Sequence, residues 1–422
     1  MIALRALACL AGLGQGWFNE LMTLSTESTL LLRNTRLVLP DKVIAAASLL
    51  VAGGYIAKIF SGEPETRTAG AIEYDLAGTT VFPGFIDAHI HGAVGVDTME
   101  ATPEDLCQVS RFLVTQGVTA WLPTLVPAAP EQYEQSISSI ASAIRQQGEE
   151  SKPGARILGV HYEGPYVNSE QCGALHRECF RTFSTSTELD TLPTLSGADS
   201  VQMMTLAPEI DGGLELVREL CGRGWVVSIG HTRADVALLD QALEAGARHM
   251  THFMNAMPSL HHRAPGPIGW GLLRDEVTCD VIADGIHLDP LTLRLLRKTK
   301  TAVRLSLISD AIAAAGMGDG DYQIWGETIS VSGRRTRNSH GSIAGSVITM
   351  LDAVRMMSSL GSSEIEVARM ASTNPARLLR LDADCGSIEP GKRADLVAID
   401  QEGKVRLTLV KGLVAYSSKE AW

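Results

Sequence analysis

The stretch Val81-Phe82-Pro83-Gly84-Phe85-Ile86-Asp87-Ala88-His89-Ile90-His91 decides how this chain is read. An apolar run that closes on His-x-His sets two imidazoles on one face of a strand, because side chains alternate with period two. Neutral imidazole is the commonest metal-ligating side chain. Taken alone, the pair also fits two satisfied core histidines. Glu163, His231 and His252 each close a short apolar run of their own. That repetition favours one shared site over scattered histidines.

Working outward, apolar runs recur along the chain. After the run that ends at His91 come residues 117–124, 157–163, 201–207, 225–231, 249–252, 279–284 and 303–310. Helix-like stretches separate most of them, among them 103–116, 131–147 and 233–245. Strands alternating with helices imply a parallel sheet, and eight such units predict a closed (β/α)8 TIM barrel of the α/β class. Chemistry in such barrels sits at the C-terminal ends of the strands. His89, His91, Glu163, His231, His252 and Asp310 all fall at or near those ends.

The 422 residues leave room for one large barrel and a smaller unit. Lys plus Arg number 36 against 48 Asp plus Glu, a net charge of −12. That balance argues against a general nucleic-acid surface, which needs a basic patch. It leaves an anionic small substrate open, since one arginine can bind a phosphate. The seven cysteines are odd in number and show no paired spacing, which points to a reduced, cytoplasmic chain. No run of about 18 apolar residues predicts a membrane span.

Residues 1–28 read as a disordered extension outside the fold, with Met22 a candidate working start; a weak signal peptide is the other reading of its apolar first residues. Residues 29–82 carry short strand patterns, with a hairpin across Gly53-Gly54, and residues 384–422 have the same texture. The two ends are expected to form one small β-sandwich domain flanking a barrel of residues 83–383.

In order along the chain stand Pro83-Gly84-Phe85-Ile86-Asp87-Ala88-His89-Ile90-His91-Gly92, His161-Tyr162-Glu163-Gly164-Pro165 and Leu206-Ala207-Pro208-Glu209. Then come Gly230-His231-Thr232, Thr251-His252-Phe253-Met254-Asn255-Ala256-Met257-Pro258 and Ala283-Asp284-Gly285-Ile286-His287. Ser309-Asp310-Ala311, Ala344-Gly345-Ser346 and Asn374-Pro375-Ala376 complete the set. These blocks resemble the amidohydrolase superfamily and, within it, the N-acetylglucosamine-6-phosphate deacetylase family. The likeness covers roughly residues 30–418. It implies metal-dependent hydrolysis of an N-acetyl group from an amino-sugar phosphate, and a homodimer.

The resemblance also implies roles. Glu163, His231 and His252 would bind one divalent metal. His89 and His91, which some family members lack, would hold a second ion bridged by Glu163. Many superfamily relatives bridge their metals with a carbamylated lysine on the fourth strand. That strand has no lysine here, which is consistent with a glutamate bridge. Carboxylate and imidazole donors suit zinc, iron or other first-row ions. Arg263 and His287 would contact the sugar phosphate, with Asn255 and Ala256 beside them. The family's Gly-x-His after the glutamate becomes Gly173-Ala174-Leu175-His176 here, one residue longer, so His176 is the candidate for placing the acetyl group.

Amide hydrolysis explains why such residues are needed. A bound metal lowers the pKa of water from about 15.7 to about 7. A nearby carboxylate then takes the water's proton and delivers it to the departing amine. Asp310, closing the eighth strand, is assigned that role; in Ser-Asp-Ala it also reads as a helix N-cap. The nearest alternative substrate is N-acetylgalactosamine 6-phosphate, because those enzymes share the His-x-His and a His-His-Arg loop like His261-His262-Arg263. A related N-acyl amide hydrolase and a non-catalytic scaffold are the remaining alternatives.

Overall fold

The computed structural model describes residues 29–64, 69–149, 153–197 and 200–418. The N-terminal extension proposed from the sequence lies outside them. The eight barrel strands are β1 (Phe85–Ile90), β2 (Val118–Leu125), β3 (Gly159–Glu163), β4 (Val201–Leu206), β5 (Val226–Ile229), β6 (His249–Met250), β7 (Thr278–Ile282) and β8 (Leu305–Ile308). Each pairs in parallel with the next. The seam between β8 and β1 closes just beyond the strands. There Asp310 N–H donates to the His89 carbonyl at 2.9 Å, and His91 N–H to that of Ala311 at 2.8 Å. The expected barrel is therefore present, and its closing bonds join two site residues.

Strand periodicity divides the side chains into two cores. Phe85, Trp121, Tyr162, Met204, Leu206 and Ile229 pack outward under the helices. Ile86, Ala88, Ala120, Leu122, Met203 and Val226 fill the inside over Ala376 and Leu379. Helix Pro103–Thr115 shows how the outer layer is specified. Thr102 and Asp105 form a capping box, Pro103 opens the first turn, and Leu106, Val109, Leu113 and Val114 make the buried face.

Above the apolar floor lies a layer of hydroxyls. His161 Nε2 is 2.8 Å from Thr205 Oγ1, Thr205 is 2.7 Å from Thr251 Oγ1, and Ser228 Oγ is 2.6 Å from Thr251. Buried polar groups must find partners, and these find one another across four strands. Gly230 makes room for the layer: a Cβ there would sit 2.7 Å from a Thr205 methyl.

Both termini join in one eight-stranded sheet. Strand Thr79–Pro83 runs parallel to Leu30–Val38 on one side and antiparallel to Leu396–Asp400 on the other. The sheet curls so that its edge strand Tyr55–Ser61 exchanges backbone bonds at Ile56 with Gly391 and Lys392, both at 2.8 Å. Leu32, Leu49, Val51 and Leu409 are sealed inside. A third sheet was not expected from the sequence. Strands Gly320–Ile324, Glu327–Ser332 and Arg335–Arg337 follow β8. Their apolar face packs on Ile312, Ala313 and Ala344. No helix of the described residues is long and apolar enough to cross a membrane.

Candidate active site

Strand β1 reaches the site by an irregularity. Ile86 and Ala88 already belong to the inner core, so regular alternation would turn His89 outward. The register shifts between Asp87 and Ile90, and such a bulge re-aims the side chains after it. Both His89 and His91 enter the barrel mouth, with their Nε2 atoms 3.2 Å apart. Asp87 holds the distortion by accepting from Ser309 Oγ at 2.6 Å and from Ser309 N–H at 3.2 Å.

Glu163 stands at the centre. Its Oε1 lies 2.9 Å from both His231 Nε2 and His252 Nε2, and its Oε2 lies 3.2 Å from His91 Nε2. His89 Nε2 is 3.6 Å from Oε1. Two sets of donors could each hold a metal ion: His89, His91 and Glu163; and Glu163, His231 and His252. The two sets share one carboxylate. Asp310 Oδ1 overlooks the first, 3.2 Å from His91 Nε2 and 3.4 Å from His89 Nε2.

The electrostatics fit cations. His231 Nδ1 donates to the Gln171 carbonyl at 2.7 Å. Its Nε2 then faces Glu163 Oε1 at 2.9 Å, an arrangement satisfied by a ring proton or by a cation between the two atoms. Burial would lower the His91 pKa, but contacts with Asp310 and Glu163 push it to about 10. Burial opposes His252 likewise, and Glu163 above all raises it to about 9. Burial would raise Glu163 and Asp310, yet the facing imidazoles, His89 foremost, hold both carboxyls below their ordinary values. Two carboxylates among four imidazoles call for positive charge, either as ring protons or as divalent ions on the lone pairs.

Strained backbone builds this rim. His231, His252, Met254, Ala256 and Asp310 have φ of 47°, 31°, 76°, 50° and 49°. Left-handed backbone costs a non-glycine residue about 1–2 kcal/mol, and it clusters where geometry matters more than stability. Supports surround each kink. Ser346 N–H donates to the Asp310 carbonyl at 2.7 Å. Asp280 accepts the His252 N–H and lies 3.0 Å from His249 Nε2. Glu209 accepts from Thr232 Oγ1 and Arg233 N–H, both at 2.6 Å, and from Asn168 Nδ2 at 2.8 Å.

The remaining sequence candidates lie around this centre. Asn255 Nδ2 donates to the His252 carbonyl at 3.1 Å, so Asn255 and Ala256 shape the turn after β6. His287 Nδ1 is 2.7 Å from Asp284 Oδ2, which fixes the orientation of the ring. Arg263 occupies an exposed turn, its N–H 3.3 Å from His261 Nδ1. His176 points to the third sheet: Nε2 is 3.1 Å from the Trp325 carbonyl, and Nδ1 is 3.1 Å from Glu178. His161 is fully buried behind His89, its ring 4.6 Å away edge-on, and burial holds its pKa well below the ordinary value.

Sequence reasoning gave no role to Asp87, Glu209, Asp280, Asp284, Ser346 or Trp325. Asp284 carried a usable signal, three residues before His287 in a tight Asp-Gly-Ile-His turn. The others act through long-range contacts.

Comparison with known proteins agrees with this geometry. Residues 80–415 match the amidohydrolase family. The chain is 36% identical over 394 residues to N-acetylglucosamine-6-phosphate deacetylase of Bacillus subtilis, covering 93% of this chain and 98% of that one. It is also 36% identical over 388 residues to N-acetylgalactosamine-6-phosphate deacetylase of Escherichia coli O157:H7, covering 92% and 99%. The crystal structure of N-acetylglucosamine-6-phosphate deacetylase from Pasteurella multocida superposes with a TM-score of 0.84 at 29% identity, over 92% of this chain and all of that one. The chain belongs to the amidohydrolase family, in the group that holds the N-acetylhexosamine-6-phosphate deacetylases.

Proposed function

We propose that this enzyme hydrolyses N-acetylglucosamine 6-phosphate to glucosamine 6-phosphate and acetate. The observation that carries the reading is the shared carboxylate of Glu163, set between two histidine pairs and faced by Asp310. His89, His91 and Glu163 would hold one divalent ion; Glu163, His231 and His252 would hold the other. Zinc or iron suits these donors. Such an ion supplies Lewis acidity, activating water and polarising the acetyl carbonyl.

The chain's own groups do the rest. Asp310 is held ionised by the histidines beside it, so it accepts a proton from the attacking water. As the C–O bond forms and the C–N bond breaks, Asp310 returns that proton to the amine nitrogen. Acetic acid and the amine result, the acid's proton then passing to the amine to give acetate and ammonium, and the Asp310 carboxylate is regenerated. Arg263 supplies a guanidinium fork for the phosphate. His287, oriented by Asp284, and Asn255 with Ala256 bind the sugar. His176, with Nε2 on the Trp325 carbonyl and Nδ1 on Glu178, positions the third sheet beside the acetyl side. A homodimer and a cytoplasmic location complete the reading; all six described cysteines are free thiols.

N-acetylgalactosamine 6-phosphate is a second reading, favoured by a relative of that activity with the same 36% identity. The test measures amine release from both phosphorylated epimers on metal-quantified protein, with the dephosphorylated sugars as controls. Turnover of one phosphate, lost on chelation and restored by zinc or iron, is the expected result. Equal turnover of the unphosphorylated sugars would remove Arg263 from its role. Silence of metal-loaded protein towards both phosphates would overturn the reading.

A further inference from the structure

We infer that Trp325 sets the length of the acyl chain that the active site accepts, a specificity role that rests on the N-acyl sugar phosphate reading above. Trp325 lies at the tip of the hairpin between strands Gly320–Ile324 and Glu327–Ser332, outside every motif singled out from the sequence. Its φ is 53°, a left-handed turn that glycine tolerates and a bulky residue does not. An indole kept at such a turn is there for what its ring touches.

The ring meets His91 edge-on, with centroids 5.3 Å apart and planes at 85°. The backbone is tied to the opposite loop by the bond from His176 Nε2 to the Trp325 carbonyl. Apolar neighbours Ala174, Ile324 and Ile329 back the same cluster. The indole N–H lies beside the buried carboxylate of Asp97, which it stabilises in its charged form. A phenyl ring can take over part of the indole's packing but not this polar contact.

The position selects the acyl group. Asn255, Arg263 and His287, assigned to sugar and phosphate, follow β6 and β7. Trp325 stands against His91, the ligand-type residue at Glu163 Oε2, and is roped to the loop after β3, whereas His231 and His252 meet Oε1. A sugar anchored at β6 and β7 with its amide at Asp310 directs its acyl chain away from the sugar, towards this indole. A rigid aromatic wall beside a methyl leaves no volume for further methylenes. One methylene in such a pocket changes kcat/KM by about 10-fold to 200-fold.

The test compares wild type, Trp325→Gly and Trp325→Phe, each metal-quantified. Substrates are the N-acetyl, N-propionyl and N-butyryl forms of glucosamine 6-phosphate. Trp325→Gly removes the ring at a turn suited to glycine. Wild type is expected to favour acetyl over butyryl by about tenfold or more in kcat/KM, Trp325→Gly to lose that preference, and Trp325→Phe to fall between, all with equal metal content. Calorimetry on the Asp310→Asn background gives a reading independent of turnover. There the butyryl Kd should tighten about tenfold on adding Trp325→Gly, with the acetyl Kd little changed. An acetyl-to-butyryl ratio that is the same with and without the indole overturns the assignment, whatever the absolute rates. Failure of all three ligands to bind the Asp310→Asn protein overturns the substrate reading, and this inference with it.

Discussion

The barrel rim and the terminal sheet are built by opposite rules. At the rim, site residues His231, His252 and Asp310 sit buried in left-handed backbone. The Nδ1 atoms of His89, His91 and His252 are buried without hydrogen-bond partners among the described residues, and two carboxylates converge within one cluster. In the terminal sheet, the left-handed residues Asn34 and Lys411 are exposed, in a bulged strand and a hairpin turn. Its interior is a continuous apolar set around Leu32, Leu49, Val51 and Leu409. One region spends stability to hold donors in place, and the other supplies stability without touching the chemistry. Substitutions in the two regions should therefore separate activity from folding.

The sharpest way to break the contrast is at Glu163, the donor common to both sets. Glu163→Gln should lose bound metal and fall to background turnover, while thermal unfolding shows an intact fold; full metal content measured by elemental analysis would refute the shared-ligand role. Asp310→Asn comes next. It should cost about 10²-fold to 10⁴-fold in kcat and keep its metal, because asparagine tolerates the same left-handed backbone. Near-wild-type turnover would end its assignment as the proton carrier.

The mirror image is Leu49→Ala in the terminal sheet. Emptying that fully buried site should cost about 2–5 kcal/mol in denaturant unfolding, with kcat/KM per folded molecule unchanged. A parallel loss of activity would mean that the two regions are mechanically coupled. The smallest effect is expected at Asp284→Asn, which weakens the bond that orients His287. About a tenfold rise in KM with kcat nearly constant is the predicted signature. A fall in kcat alone would place His287 at the reacting bond and not at the sugar.

Much of this contrast was legible in the primary structure. The apolar runs ending at His91, Glu163, His231, His252 and Asp310 read as barrel strands carrying site residues, and the barrel is present with those residues converging at its mouth. His161, two residues before Glu163 on β3, also faces the barrel interior, against His89. Other features escaped. The hairpin at residues 320–332 alternates small, polar and apolar residues and carries no ligand-type pattern. His176 matched a motif by type, but its partner is the carbonyl of a residue 149 positions away.

The sequence by itself determined the donor set and the strand order, because residue type and hydrophobic period are local properties of the chain. Tertiary structure alone decided how those donors meet. The bulge in β1 depends on Asp87 reaching Ser309, 222 residues on. The strained turns at His231, His252 and Asp310 persist only because Gln171, Asp280 and Ser346 hold them from other segments. The indole against His91 exists only once the third sheet folds back over the mouth. Each is a contact between distant segments, whose free energy appears only when the whole barrel closes.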